Sequence, residues 1–238
     1  MVKSKFLIIK VVSLSVLFIS FSISETLAAV KYTGWHSIIV PGVCSFQIPP
    51  TMEIQGGKYK KFVDEVKKEM FKKSPEFSPF IFDEKKQVVA QQQGLNNRET
   101  PALKKYARIL VSYSVEPYNN TYDLHKPFTT SDNEVVAAGE VWRDTMNQTG
   151  IITVKKWYPS KKVQINDYHA ICHKYIRNSN TPGVTSPVFV VMYNFFNKDM
   201  SYTVTISYRH SEEKLWKNDL EKVINTFTFE EWVDETRW

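Results

Sequence analysis

The sequence predicts an α+β fold built around an antiparallel sheet, and three observations lead there. In 200–209, Met200, Tyr202, Val204, Ile206 and Tyr208 alternate with Ser201, Thr203, Thr205, Ser207 and Arg209. That period of two lays a β-rich apolar set on one face of a strand and small polar residues on the other. The run before it, 187–196, is apolar on both faces, as suits a strand inside a sheet. Asn197, Lys198 and Asp199 supply the turn chemistry of an antiparallel hairpin between the two. Next comes an amphipathic helix, with Trp216, Leu220 and Val223 spaced by four and three and Ile224 widening the stripe. Ser211 is its expected N-cap, with Glu212 and Glu213 in the first turn, where the helix dipole favours acids.

Taken in order, the chain opens with residues 1–29, which have the layout of a secretory signal peptide. Lys3, Lys5 and Lys10 precede an apolar run over 11–21, and cleavage is expected after Ala28 or Ala29. Serines interrupt that run, and it is short for a membrane span of about 20 residues, which favours a cleaved leader over an anchor helix. Runs 36–40 and 43–48 form a hairpin through Pro41 and Gly42, a pair suited to a type II turn, and Pro49 and Pro50 stop the second strand. Residues 59–71 read as a helix with Tyr59, Phe62, Val63, Val66 and Met70 on one face. Runs 80–82 and 87–93 are expected strands around Asp83, Glu84, Lys85 and Lys86. Residues 106–115 alternate cleanly and belong in the sheet. Residues 116–130 form a polar loop with Pro117 and Pro127, either partner-facing or a disordered connector.

A further helix begins at Ser131 or Asp132, buries Val135, Ala138, Trp142 and Met146, and has Gly150 placed to end it. Runs 151–158 and 168–176 are strands joined across Pro159, a lysine pair, Asn166 and Asp167. Residues 178–186 form the loop feeding the hairpin, and the charged tail after Phe229 carries Trp232 and Trp238. No repeat, linker or composition shift divides residues 30–238, so they read as one domain.

Charge and cysteine usage narrow the function. The formal charge is +6, and loss of three lysines and Glu25 with the leader leaves +4. That is far from the charge density of a nucleic-acid binder. Cys44 and Cys172 either form one disulfide closing a long loop in an oxidising compartment or remain two buried thiols on neighbouring strands, and the sequence leaves both open. Neither belongs to a redox CxxC pair.

The usual catalytic signatures, from GxSxG and HExxH to the Gly-rich phosphate loops, are missing. The best metal-like constellation is Asp167, His169 and His173. On a strand, however, the two histidines lie roughly 13 Å apart along the chain, too far to share a zinc at about 2.0–2.1 Å. The reading is therefore a sheet face with solvated or hydrogen-bonded polar side chains. Tyr118, Tyr122, Trp35, Trp157 and Tyr158 would form a partner surface if exposed together. Lys60, Lys61 and Lys67 on the 59–71 helix suggest membrane-surface contact, which the interleaved Asp64, Glu65 and Glu69 argue against.

Four stretches resemble the PsbP-like family, which takes its name from an extrinsic photosystem II subunit. They are Phe46, Gln47, Ile48 and Pro49; residues 202–209; Trp216 in its helix; and residues 224–229. The resemblance implies an antiparallel sheet sandwiched between helices and a non-enzymatic role as a binding or assembly factor. No family site residue maps onto this sequence. The reading that follows is a secreted or periplasmic binding module for a protein or cell-envelope partner, without cofactor or nucleic acid. The alternative is a hydrolase or metal-dependent enzyme with dispersed site residues.

Overall fold

The hairpin that organises the sequence also organises the structure. A computed structural model of the chain describes residues 33–73, 87–115, 122–148, 152–179, 185–198 and 200–230. The doubly apolar run forms β8 (Val188–Asn197) and the alternating run β9 (Met200–Arg209), paired antiparallel from Val188↔Arg209 to Asn197↔Met200. Lys198 takes a positive φ of 48° at the turn. Around this pair, seven strands form one antiparallel sheet. Its other members are β3 (Met52–Ile54), β4 (Gln87–Gln92), β5 (Ala107–Val115), β6 (Val154–Ile165) and β7 (Tyr168–Arg177), in the order β3-β4-β5-β9-β8-β7-β6.

The first hairpin forms as expected, from β1 (His36–Val40) and β2 (Cys44–Ile48). Val43 N donates to Val40 O at 3.0 Å and Gly42 has φ 71°, the positive φ that a type II turn requires after Pro41. It builds a separate three-stranded sheet with β10 (Thr228–Phe229).

Helices cover the main sheet on both faces. α3 (Asp132–Gln148) packs Trp142 and Met146 into a cluster with Tyr175, Val188, Val190, Met192 and Phe196. On the opposite face α4 (Glu213–Ile224) and the small sheet pack Trp216, Leu220, Val223, Phe46 and Phe229 against Tyr202, Val204 and Ile206. The remaining helices are α1 (Gly57–Lys73) and the single-turn α2 (Thr100–Leu103). Each fully buried large apolar side chain in these layers contributes about 1.5–3 kcal/mol.

Ser201, Thr203 and Ser207, on the polar face of β9, are buried beside the α3 layer. They stay polar because each is hydrogen-bonded, to Ser114, Asn194 and Tyr106 respectively. Several expectations change in the folded chain. Ser211 does not cap α4. A 3-10 turn (His210–Glu212) precedes the helix, and Ser211 Oγ pairs with Ser186 Oγ at 2.9 Å. Glu212 does the joining instead, accepting from Tyr106 N, Trp216 Nε1 and Arg209 Nη1.

On α3, Ser131 and Glu134 exchange hydrogen bonds as a capping box, and Gly139 rather than Ala138 joins the buried stripe. Residues 122–130 are tied down, with Tyr122 O accepting from Lys198 N and Leu124 O from His169 N, and with Leu124 and Phe128 buried. β6 runs straight through Pro159 and the lysine pair to Ile165. It is an edge strand with a register shift between Tyr158 and Lys161, the setting in which a sheet tolerates proline. The leader, run 80–82, Gly150 and the tail after Glu230 lie outside the described residues.

Candidate functional site

Residues 167–173 start at the β6–β7 turn, where Asn166 has φ 52°. Asp167 presents its backbone carbonyl to His125 Nδ1 at 3.2 Å. His169 is half-buried on β7, paired with Gln164, its backbone N–H donating to Leu124 O. His173, four residues on, faces α3 and is only 1% exposed. The three side chains are not gathered into one cluster, and no group of three or more His, Cys, Asp or Glu among the described residues is disposed to hold a metal ion.

Alternation along β7 decides where His173 goes. Odd-numbered residues Ile171, His173 and Tyr175 turn toward α3, whereas even-numbered Tyr168 and Ala170 turn toward the small sheet. His173 is stacked on Trp142, with centroids 5.5 Å apart and planes 21° apart, and lies 5.9 Å from Trp157. Tyr175 stacks on Trp157 at 5.6 Å. Ser160, 3% exposed at the irregularity of β6, shares a 2.7 Å hydrogen bond with His173 Nδ1. Gly139 makes this fit possible, because a Cβ there would sit 1.9 Å from Ser160 Oγ. The second imidazole nitrogen, Nε2, and the indole nitrogens of Trp142 and Trp157 are buried without hydrogen-bond partners.

Burial alone holds His173 down at about 4, so the imidazole is neutral through the physiological range. Of the solvated or hydrogen-bonded side chains expected on this sheet face, His173 is the hydrogen-bonded kind, paired with Ser160 and buried in the interior. What it lacks is access: a sealed Ser–His pair cannot meet a substrate.

Cys44, Cys172 and Glu53 also sit in the interior. Cys44 on β2 and Cys172 on β7 belong to different sheets and are both buried free thiols; no disulfide joins them. Burial pushes the thiols up to about 12 and about 11 respectively, which removes the thiolate needed for reactivity. Glu53, which sequence reasoning passed over, is buried on β3. Burial raises its pKa, and backbone N–H groups of Asn96 and Gly94 partly offset the rise. Asn96 N donates to it at 2.6 Å, and Asn96 Oδ1 accepts from Gly56 N and Gln91 Nε2, pinning the β4–α2 connection to β3.

The expected aromatic surface is split. Tyr122 and Trp157 pack into the α3-side cluster, Tyr118 lies outside the described residues, and Trp35 stands apart near β1, partly exposed. Tyr158 faces the other side of the sheet, where the β6–β7 register sets it opposite Lys174. The same register puts Lys156 opposite Ile176 and Lys161 opposite Cys172. Lys156 Nζ lies over the Tyr158 ring at 4.7 Å. Lys156 and Lys161 are exposed and Lys174 half-buried.

On α1, Lys60 pairs with Asp64 at 3.0 Å and Lys61 is exposed; the Lys67 side chain lies outside what is described. Phe62 and Val66 on that helix are also exposed, with Arg98 over the Phe62 ring at 4.8 Å. No helix among the described residues is long and apolar enough to cross a membrane.

Fold and site together define an α+β chain with a seven-stranded antiparallel sheet and helices on both faces. No protein-family model matches the chain, and no curated protein sequence matches it. Among solved structures it is similar to cyanobacterial PsbP (CyanoP) from Synechocystis sp. PCC 6803, at 13% identity and TM-score 0.48, over 86% of this chain and 98% of that one. It is also similar to the Ran-binding protein Mog1p of Saccharomyces cerevisiae, at 11% identity and TM-score 0.41, over 82% of this chain and 95% of that one. A third similar structure, from Bacteroides thetaiotaomicron, shows 9% identity and TM-score 0.43 over 84% of this chain; the match spans half of that longer protein. The family suspected from the sequence and the cyanobacterial neighbour carry the same name, PsbP.

Proposed function

We propose that the chain is a non-catalytic binding or assembly module that acts outside the cytoplasm on a protein or cell-envelope partner. The observation that supports this reading is the fate of its reactive side chains. Ser160 and His173, the one pairing with a catalytic look among the described residues, are 3% and 1% exposed and engaged with each other at 2.7 Å. Both thiols are buried and raised out of the reactive range. Chemistry needs groups poised at an accessible site, and these are spent on packing. What the chain offers to solvent is shape and charge. The extracytoplasmic location follows from Lys3, Lys5, Lys10 and the Ala28–Ala29 junction.

The test is expression of the full-length chain with its own leader. N-terminal sequencing of the exported product should begin at residue 29 or 30. Affinity purification of that product from cross-linked envelope should then return one partner at fixed stoichiometry. A product still carrying its leader overturns the location. A purified chain that turns over ester, phosphoester or peptide substrates, with loss of turnover on Ser160→Ala, overturns the non-catalytic reading.

A further inference from the structure

We propose that the β6–β7 corner bearing Lys156, Tyr158, Lys161 and Lys174 is the docking surface for an acidic, extended segment of a protein partner. The inference rests on the reading of the chain as a protein-binding module and names where it binds and what kind of chain it takes.

Register places the three lysines on one face, because Lys156, Tyr158 and Lys161 of β6 stand opposite Ile176, Lys174 and Cys172 of β7. Lys174 stands opposite Tyr158 and diagonal to Lys156 on one side and Lys161 on the other, about 7–8 Å from each, so the ammonium groups form a row along this corner. The buried Cys172 thiol senses two of them, since Lys174 and Lys161 pull against the rise that burial imposes. The rest of that face is covered: Val163, Tyr168 and Ala170 pack into the core cluster that includes Phe229 and Trp216. Lys156 and Lys161 lie beyond this cover and are exposed.

None of the three has an ion-pair partner among the described residues, as is also true of Lys58, Lys61 and Lys105; what sets these three apart is that they share one face of two paired strands. Lys162 makes the contrast sharp. It is the next residue on β6 but faces α3, where Asp132 neutralises it at 2.8 Å. Clustered like charges repel, and a partner carrying carboxylates relieves that repulsion as it binds.

Lysines on an edge strand commonly serve only to discourage edge-to-edge aggregation. That accounts for Lys156 and Lys161 on the outermost strand, but not for Lys174. β7 is paired on both sides, with β6 and β8, and has no edge to guard. A half-buried lysine there adds charge to the patch at a desolvation cost. No strand among the described residues pairs with the outer edge of β6, which favours an extended peptide over a small anion: a peptide can add a strand there while alternate acidic side chains reach the lysines. Tyr158, set among the lysines, offers the apolar body and polar tip typical of an interface anchor.

The test uses the full-length exported chain and a fluorescent synthetic peptide of about ten alternating Glu and Val residues, titrated by anisotropy at about 50 mM salt. The triple variant Lys156→Glu, Lys161→Glu, Lys174→Glu should weaken binding about tenfold or more. A charge-matched variant at exposed lysines elsewhere, Lys58→Glu, Lys61→Glu, Lys105→Glu, should change it less than about twofold. Amide chemical-shift changes should centre on β6 and Lys174. Circular dichroism confirms that both variants are folded, and the single Lys156→Glu serves if the triple does not fold.

Equal weakening in both triples reduces the effect to net charge and overturns the site. Tighter binding to vesicles containing anionic lipid than to the peptide also overturns it, in favour of a membrane surface. If the patch variant still captures the same envelope partner at full yield, the docking inference fails while the binding-module reading stands.

Discussion

Gly139→Ala is the substitution whose sign most cleanly tests the packing of α3. On an isolated helix the change would stabilise by about 1 kcal/mol, because alanine is the better helix former. Here the added Cβ would meet Ser160 Oγ at 1.9 Å, Ser160 Cβ at 2.8 Å and Trp157 Cζ2 at 3.3 Å. The hydroxyl could rotate away only by giving up its bond to His173. The Ser160 Cβ is fixed to the backbone of β6 and moves only if strand and helix part. Overpacking of this kind costs about 1–3 kcal/mol, and two contacts inside 3.0 Å argue for the upper end. Subtracting the propensity gain leaves a net loss of about 2 kcal/mol, or about 1 M in urea midpoint at an m-value of about 2 kcal/mol/M.

Tryptophan fluorescence reads the transition directly, since Trp142 and Trp157 line the contact. Ser160→Gly removes both clashing atoms, so the double variant should be less destabilised than the two singles summed, by at least about 1 kcal/mol. A Gly139→Ala protein more stable than wild type would refute the reasoning: helix propensity would then act unopposed, and α3 could not be seated on Ser160.

The remaining predictions concern groups that the fold has withdrawn from solvent. His173 is held near 4, below the 6.5 it takes when exposed, so the unfolded chain binds its proton first as pH falls. The resulting stability is complete above about 6.5, drains as pH drops toward 4, and amounts to roughly 3 kcal/mol at most. An NMR titration should show the His173 imidazole neutral at pH 5, and a midpoint near 6.5 would mean it is solvated. Trp216→Ala should cost about 3–5 kcal/mol, and Trp216→Phe less, about 1–3 kcal/mol for the hydrogen bond to Glu212 Oε2; a loss under about 1 kcal/mol for alanine would put the α4 stripe in solvent. Cys44 and Cys172 should resist a thiol reagent in the native protein and both react in guanidinium. Absence of thiols in denaturant would show that they are bonded to each other.

What was legible in the sequence was what neighbouring residues decide among themselves. The alternation of 200–209, the Pro41–Gly42 turn, the stripe of Trp216, Leu220 and Val223 and the helix start at Ser131 or Asp132 are local signals, and each produced its element. The misreadings have one physical origin, which is that tertiary context sets the meaning of a local pattern. Ser201, Thr203 and Ser207 are small and polar, yet Ser114 on β5, Asn194 on β8 and Tyr106 just before β5 bond them and let them sit beneath cover. Pro159 looks like a strand break, yet β6 has an edge with no ladder bond to lose there. Ser211 has the chemistry of a cap, yet Ser186 takes its hydroxyl.

The candidate surface was invisible for a deeper reason. Lys161 and Lys174 are thirteen residues apart, and nothing in either neighbourhood reveals that a shift in register at Pro159 brings both beside Cys172. That same shift turns Ser160 inward to meet His173, while the next two residues divide between the two faces, Lys161 to the open corner and Lys162 to Asp132. One irregularity in one edge strand therefore does two things. It seals the only Ser–His pair seen in the described residues beneath α3, and it leaves an unpaired cationic patch on the outside. Among the described residues, Ser160, His173 and both thiols are thus buried, while Lys156 and Lys161 stand exposed on the opposite face of the same strand pair.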